Sequence, residues 1–65
     1  MIFMKERVWL SQKRIELGLT LLEAAKLVGL SKQGYWFIET GKRNPSVKTA
    51  KKIADKFNLD WTKFF

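Results

Sequence analysis

The chain contains no cysteine and no histidine. Without cysteine, neither a disulfide framework nor a thiolate metal site is available to staple the fold. Without histidine, the commonest general base, the commonest metal ligand and the usual physiological pH switch are all missing. The acidic residues are Glu6, Glu16, Glu23, Glu39, Asp55 and Asp60. They are scattered and mostly adjoin basic residues, so no carboxylate pair stands out for glycosidic or metal chemistry. An enzyme is not expected, nor is a metal or a cofactor. Long apolar runs are missing too. The opening MIFM is far too short for a membrane span or a signal-peptide core, so a soluble, cytoplasmic protein with no membrane partner is expected.

What the sequence does have is positive charge on a short chain: 65 residues, 13 Lys and Arg against 6 Asp and Glu, and a formal charge of +7. A chain of that length buries only roughly 60% of the surface its unfolded form exposes, and cannot hold a deep catalytic cavity as well as a core. One domain over residues 1–65 is expected. The breakers Gly18, Gly29, Gly41, Pro45 and Asn58 cut it into pieces of helical length, with no linker, repeat or low-complexity tract.

The spacing predicts a first helix from about Lys5 to Glu16, with Gly18 placed for a left-handed cap. On a wheel of about 100° per residue, Phe3, Leu10 and Leu17 share a stripe. Arg14 lies inside that stripe, and an arginine there calls for a partner. Met4, Val8 and Ile15 make a second, weaker stripe, expected to pack under the C-terminal segment, with self-association as the alternative. Thr20 and Glu23 form a T-x-x-E capping box for a second helix, Leu21 to Val28. Gly29 ends it, and Ser31 can cap a third helix running to about Thr40. A short helix, a glycine turn and another helix make a helix-turn-helix, here over residues 20–41. On a basic single domain, that unit is first of all a DNA reader.

A fourth helix follows the Ser46 N-cap and continues to about Phe57, with Val47, Ala50, Ile53, Ala54 and Phe57 at 3.6 spacing. Lys48, Lys52 and Lys56 repeat on another face, where like charges repel slightly. Asp60 can cap a last short turn, Trp61 to Phe65, that brings aromatic groups near the core.

KRIELGLT from Lys13 to Thr20, then VGLSKQ, then IETGKRNPS, resemble the Cro/C1-type helix-turn-helix family of lambdoid phage repressors and small bacterial regulators. The resemblance covers about Val8 to Phe65. It implies an all-α, compact five-helix, lambda-repressor-like DNA-binding domain whose third helix enters the major groove. It also implies an ion pair between Arg14 and Glu39, which supplies the partner that Arg14 calls for, with a phosphate contact as a weaker second role for the arginine.

In the recognition helix, Tyr35 and Ile38 sit three apart and face inward, leaving Lys32, Gln33, Trp36 and Phe37 outward as base-reading candidates. Lysine donates to guanine O6 and N7, and glutamine pairs with adenine N6 and N7. Phosphate contacts need only donors and positive charge beside the backbone. Thr40, Lys42, Arg43 and Asn44 meet that need in the following turn, as do the amides after Ser46. Between Lys42 and Lys63, seven Lys and Arg stand against Asp55 and Asp60, a local balance of +5. Salt-dependent binding or plain solubility would each account for it.

The sequence departs from the family pattern in several places. Leu21 replaces a frequent phosphate-binding glutamine. Ala24 is smaller and Tyr35 larger than usual, a plausible exchange of volume. Gly34 weakens its helix by roughly 1 kcal/mol relative to alanine and is either tolerated or gives clearance for DNA. Trp36 and Phe37 put large rings where polar residues are usual. They can meet thymine methyls or wedge at a base step, form with Leu21 a protein-binding patch, or fold back onto the domain.

Two functional classes follow. One is a sequence-specific regulator of the Cro repressor kind, from a phage, prophage or mobile element and with no effector domain. It would bind double-stranded DNA as a homodimer, with half-sites roughly 34 Å apart. Trp61, Phe64 and Phe65, or the Met4, Val8 and Ile15 stripe, are candidate dimer contacts, although core packing is the expectation for Trp61 and Phe64. The other class is a protein-interaction module on the same scaffold, such as an antitoxin or antirepressor-like partner. RNA binding is a distant third, because the rings do not form a stacking platform.

Overall fold

The computed structural model describes residues 6–65. The expectations for Phe3, Met4 and Lys5 lie outside the described residues. Four α-helices follow one another: α1 Val8–Glu16, α2 Leu21–Leu27, α3 Lys32–Glu39 and α4 Val47–Phe57. The expected fifth helix is a single 3-10 turn, Trp61–Phe64, and no strand occurs among the described residues.

Local chemistry places most of the boundaries. The Thr20 hydroxyl accepts from the Glu23 amide at 3.1 Å while the Glu23 carboxylate accepts from the Thr20 amide at 2.9 Å, a reciprocal capping box. The bond from the Thr20 amide foremost, and the Thr20 hydroxyl beside it, hold the Glu23 carboxyl below the usual carboxylate range. Ser31 and Ser46 accept from the Gly34 and Thr49 amides in the same manner, and Asp60 accepts from the Thr62 amide. At the other end of α2, Gly29 N–H reaches Lys26 C=O and Leu30 N–H reaches Ala25 C=O at 2.9 Å. That pairing needs a left-handed residue at Gly29, whose φ is +71°. The turn then releases the chain at the angle from which α3 starts.

The start of α1 corrects the expectation. The helix begins at Val8 rather than near Lys5, because Arg7 stands at its N-cap with no side-chain cap of its own. The Arg7 amide instead donates to Glu39 C=O at 2.9 Å, tying the entry of α1 to the exit of α3.

Helices α2 and α3 pack closely. Ala24, Ala25 and Val28 meet Tyr35 and Ile38 in a cluster completed by Leu10, Ala50, Ile53, Phe57 and Phe64. Small residues on α2 leave room for the Tyr35 ring, which makes an edge contact with Phe57 at 6.2 Å between centroids. The Tyr35 hydroxyl is buried with no hydrogen-bond partner among the described residues. Burial foremost, and the nearby Glu39 carboxylate as well, push its pKa up.

Two stripe expectations fail. Val8 and Ile15 do not pack under the C-terminal segment and are 51% and 65% exposed. Trp9, on neither stripe, takes that place, with its ring 4.9 Å from Phe64 in an edge contact. Leu17 is also exposed although it shares the wheel position of buried Leu10, because α1 has ended and the chain turns away at Gly18. Val47 is exposed in the first turn of α4, while Ala50, Ile53, Ala54 and Phe57 face the core as the 3.6 spacing requires. Phe64 is buried and Trp61 half-buried against the same core, leaving Phe65 exposed.

Candidate nucleic-acid interface

The outer face of α3 begins with Lys32 and Gln33, both exposed, one turn before the exposed Trp36. Tyr35 and Ile38 anchor the opposite face in the core, so the rotation of α3 about its axis is fixed by their burial. The ends are fixed by hydrogen bonds. Ser31 caps the start. At the far end, Arg14 Nε and Nη2 clasp the Glu39 carboxylate at 2.9 and 3.0 Å, a two-pronged pair.

Arg14 Nη1 also donates to Leu19 C=O at 2.9 Å. Both side chains are largely out of water, at 15% and 8% exposed. The hydrogen bond to Glu39 is the main reason the guanidinium pKa is raised. Pairing of this kind fixes α1 against the end of α3, and it uses all three nitrogens of the arginine inside the protein.

Trp36 and Phe37 part company. Trp36 is 42% exposed and shares with Leu21, Lys32 and Gln33 an apolar notch between α2 and α3. Phe37 is half-buried. The Lys42 ammonium and Arg43 guanidinium lie over its ring, 5.2 and 5.7 Å from the centroid. A cation on a ring face is held by the quadrupole while keeping its charge available on the outer side. Phe37 therefore serves as the bed of the basic loop.

That loop has a second support which reading by helical period and charge did not single out. Arg7 is buried, and its Nη1 donates to Ile38 C=O at 2.6 Å and to Arg43 C=O at 3.3 Å. Its Nη2 donates to Asn44 Oδ1 at 2.8 Å. The partners lie more than thirty positions away in sequence, so no local pattern marks the residue. Burial lowers the guanidinium pKa, and the carbonyl and amide oxygens stand where water was. With its Oδ1 held inward, Asn44 turns its amide nitrogen away from Arg7.

Hydroxyl hydrogens are less available. Thr40 Oγ donates to Trp36 C=O at 3.0 Å, and Ser46 Oγ donates to Thr49 Oγ at 3.0 Å. Lys42, Arg43 and Asn44 are exposed, and the α4 N-terminus follows immediately, its Thr49 amide capped by Ser46 and its Val47 and Lys48 amides lying ahead of the helix's own ladder. Not every lysine of the C-terminal half belongs to this surface. Lys51 lies over Trp61 at 4.9 Å and Lys63 over Trp9 at 5.5 Å, and Lys52 Nζ would stand 3.0 Å from a methyl placed on Gly29. Lys48 and Lys56 are exposed on α4.

Among the described residues, no helix is long and apolar enough to cross a membrane, and no group of metal-ligating side chains gathers.

Known proteins resemble this chain in sequence. A family model described as helix-turn-helix matches residues 10–64. An uncharacterised HTH-type transcriptional regulator, YqaF, of Bacillus subtilis (strain 168) is 46% identical over 59 residues, covering 91% of this chain and 78% of the relative. Two uncharacterised HTH-type transcriptional regulators of Archaeoglobus fulgidus are each 42% identical over 52 residues, covering 80% of this chain and 74% and 73% of theirs. The matched span takes in the capped α2, the Gly29 turn, the exposed face of α3 and the basic loop. The chain belongs to the Cro/C1-type helix-turn-helix family of DNA-binding transcriptional regulators.

Proposed function

We propose that residues 1–65 act as one sequence-specific DNA-reading unit, a cytoplasmic repressor of the Cro kind that occupies an operator and excludes polymerase. The observation that carries this reading is the juxtaposition of two exposed donors, Lys32 and Gln33, with a separate basic loop braced by Arg7 and Phe37. The first set suits base edges, and the second suits phosphates. Lys42, Arg43, the Asn44 amide and the α4 amides grip the backbone beside the groove. Thr40 and Ser46 join by turning their hydroxyl hydrogens outward. With Arg14 engaged on Glu39 and Leu19, its part is to hold the frame.

The repressor works as a homodimer on a two-fold operator, with half-sites roughly 34 Å apart. Exposed Phe65 supports a dimer contact at the C-terminus, and exposed Val8 and Ile15 support one on α1. Buried Phe64 serves the core instead.

Selection from a randomised double-stranded pool, at two salt concentrations, tests the reading. A symmetric site should be enriched, and Lys32→Ala and Gln33→Ala should change which bases are selected. Arg43→Ala should lower affinity for every sequence alike. Weak, unselective retention abolished by moderate salt would contradict it.

A further inference from the structure

Leu21 and Trp36 are left over from the donor sets above, and they face each other. The notch between the first turn of α2 and the outer face of α3 is walled by these two side chains, with Lys32 and Gln33 completing its lining. Leu21 is partly buried against the core and is therefore a fixed wall. Trp36 is braced from behind by Phe37, with ring centroids 5.9 Å apart. An apolar recess has thus been kept open beside the donors that serve base edges.

We propose that this notch is a thymine receptor: it takes up the C5-methyl group of one thymine per half-site, within a base pair of the purine contacted by Lys32 or Gln33. The inference rests on the DNA-reading function proposed above. Thymine presents a methyl group and an O4 acceptor to the major groove, whereas cytosine offers a donor and no methyl. An apolar wall with a cation and an amide at its rim matches the first pattern. A phosphate oxygen suits the walls poorly, because the surface they present is mostly apolar and the only charge lies at the Lys32 rim. A second copy of this chain does not suit it either. A two-fold contact through the notch would set the Lys32 rim of one +7 chain against the same rim of another. Leu21 and Trp36 are then specificity determinants that act by shape and by excluding water, next to donors that act by hydrogen bonding.

Deoxyuridine differs from thymidine only by that methyl, which makes the test direct. The selected operator is resynthesised with each thymine in turn replaced by deoxyuridine, and affinities are measured for the unaltered protein, Trp36→Ala and Leu21→Gln. Thermal melts confirm that the variants fold. One position in each half-site should lose about 3–5-fold in affinity for the unaltered protein, the effect of withdrawing one methyl from an apolar contact. The same replacement should change nothing for Trp36→Ala, which no longer distinguishes the two bases. Leu21→Gln should reduce the discrimination and, if one variant fails to fold, serves in place of the other.

A selected site at which no replacement costs more than twofold would overturn the receptor while leaving the DNA-reading function intact. So would a loss that persists undiminished in both variants. Failure to select any site would remove both. Unchanged DNA binding by Trp36→Ala, together with a shift in its oligomeric state, would make the notch a protein contact and overturn the inference.

Discussion

Arg7, Arg14 and Tyr35 show how single side chains fix α3 and the 42–44 loop in place. Arg14 and Glu39 form a two-pronged pair at 8–15% exposure, so removing either partner strands the other charge in a poor solvent. Glu39→Gln is expected to destabilise the domain by about 3 kcal/mol, read from denaturant midpoints. Tyr35 titrates with a raised pKa because burial disfavours its phenolate. Above the unfolded tyrosine pKa of about 10, the unfolded chain gives up the proton while the folded chain keeps it. Stability should therefore be fully present below that value and fall as pH rises beyond it. Tyr35→Phe should flatten this alkaline fall in a series of thermal melts. Arg7 is the residue that periodicity and charge patterns could not supply. Its three acceptors come from Ile38, Arg43 and Asn44, distant in sequence and close only after folding. Trp36 and Phe37 are adjacent, so both read as outward on a helical wheel. Only the packing of the 42–44 loop onto Phe37 separates a bed for cations from an exposed ring.

Helix boundaries were legible wherever a side chain or a glycine makes the cap. Thr20 with Glu23, Ser31, Ser46 and Asp60 each stop or start an element through a hydrogen bond spanning two or three residues. Thr20→Ala should cost about 1 kcal/mol. The Glu23 carboxylate, which accepts from the Thr20 backbone amide, survives that substitution and contributes separately through its lowered pKa in the folded chain. That contribution is present above the unfolded glutamate pKa of about 4.3 and is lost as pH falls through the folded value. Melts of the unaltered protein and of Glu23→Ala should therefore differ more at pH 7 than at pH 3. Gly29 is equally readable, because a left-handed residue must close α2. Gly29→Ala should destabilise by about 1–2 kcal/mol through backbone strain, measured in the same way. The α1 start was not legible. No side chain caps it, and a contact from the Arg7 amide to Glu39 decides where the helix begins. Its apolar stripes misled for a related reason, since nine residues give too few turns for a period to show which face meets the C-terminal turn.

Across the whole molecule, charge and aromatic residues divide the work. A formal +7 draws the protein to a polyanion without telling bases apart. The lysines over Trp9 and Trp61 show that part of this charge also tightens the C-terminal turn against α1 and α4. The all-helical class and the positions of α2, α3 and α4 came through from the sequence, because short-range caps and glycines carry them. The proposed division of α3 and its loop into base-reading and backbone-gripping parts was already an expectation of the sequence, and tertiary contacts add the Phe37 bed and the Arg7 brace beneath the loop. That division is the central claim, and it is tested most directly by measuring the affinity of Gln33→Ala and Arg43→Ala for every single-base variant of the selected operator. Gln33→Ala should lose discrimination at one position per half-site, by about 1–3 kcal/mol, and keep the salt slope of the unaltered protein. Arg43→Ala should weaken binding to all variants equally and reduce the salt slope by about one phosphate contact. A uniform loss for Gln33→Ala, or altered base preference for Arg43→Ala, would contradict the account.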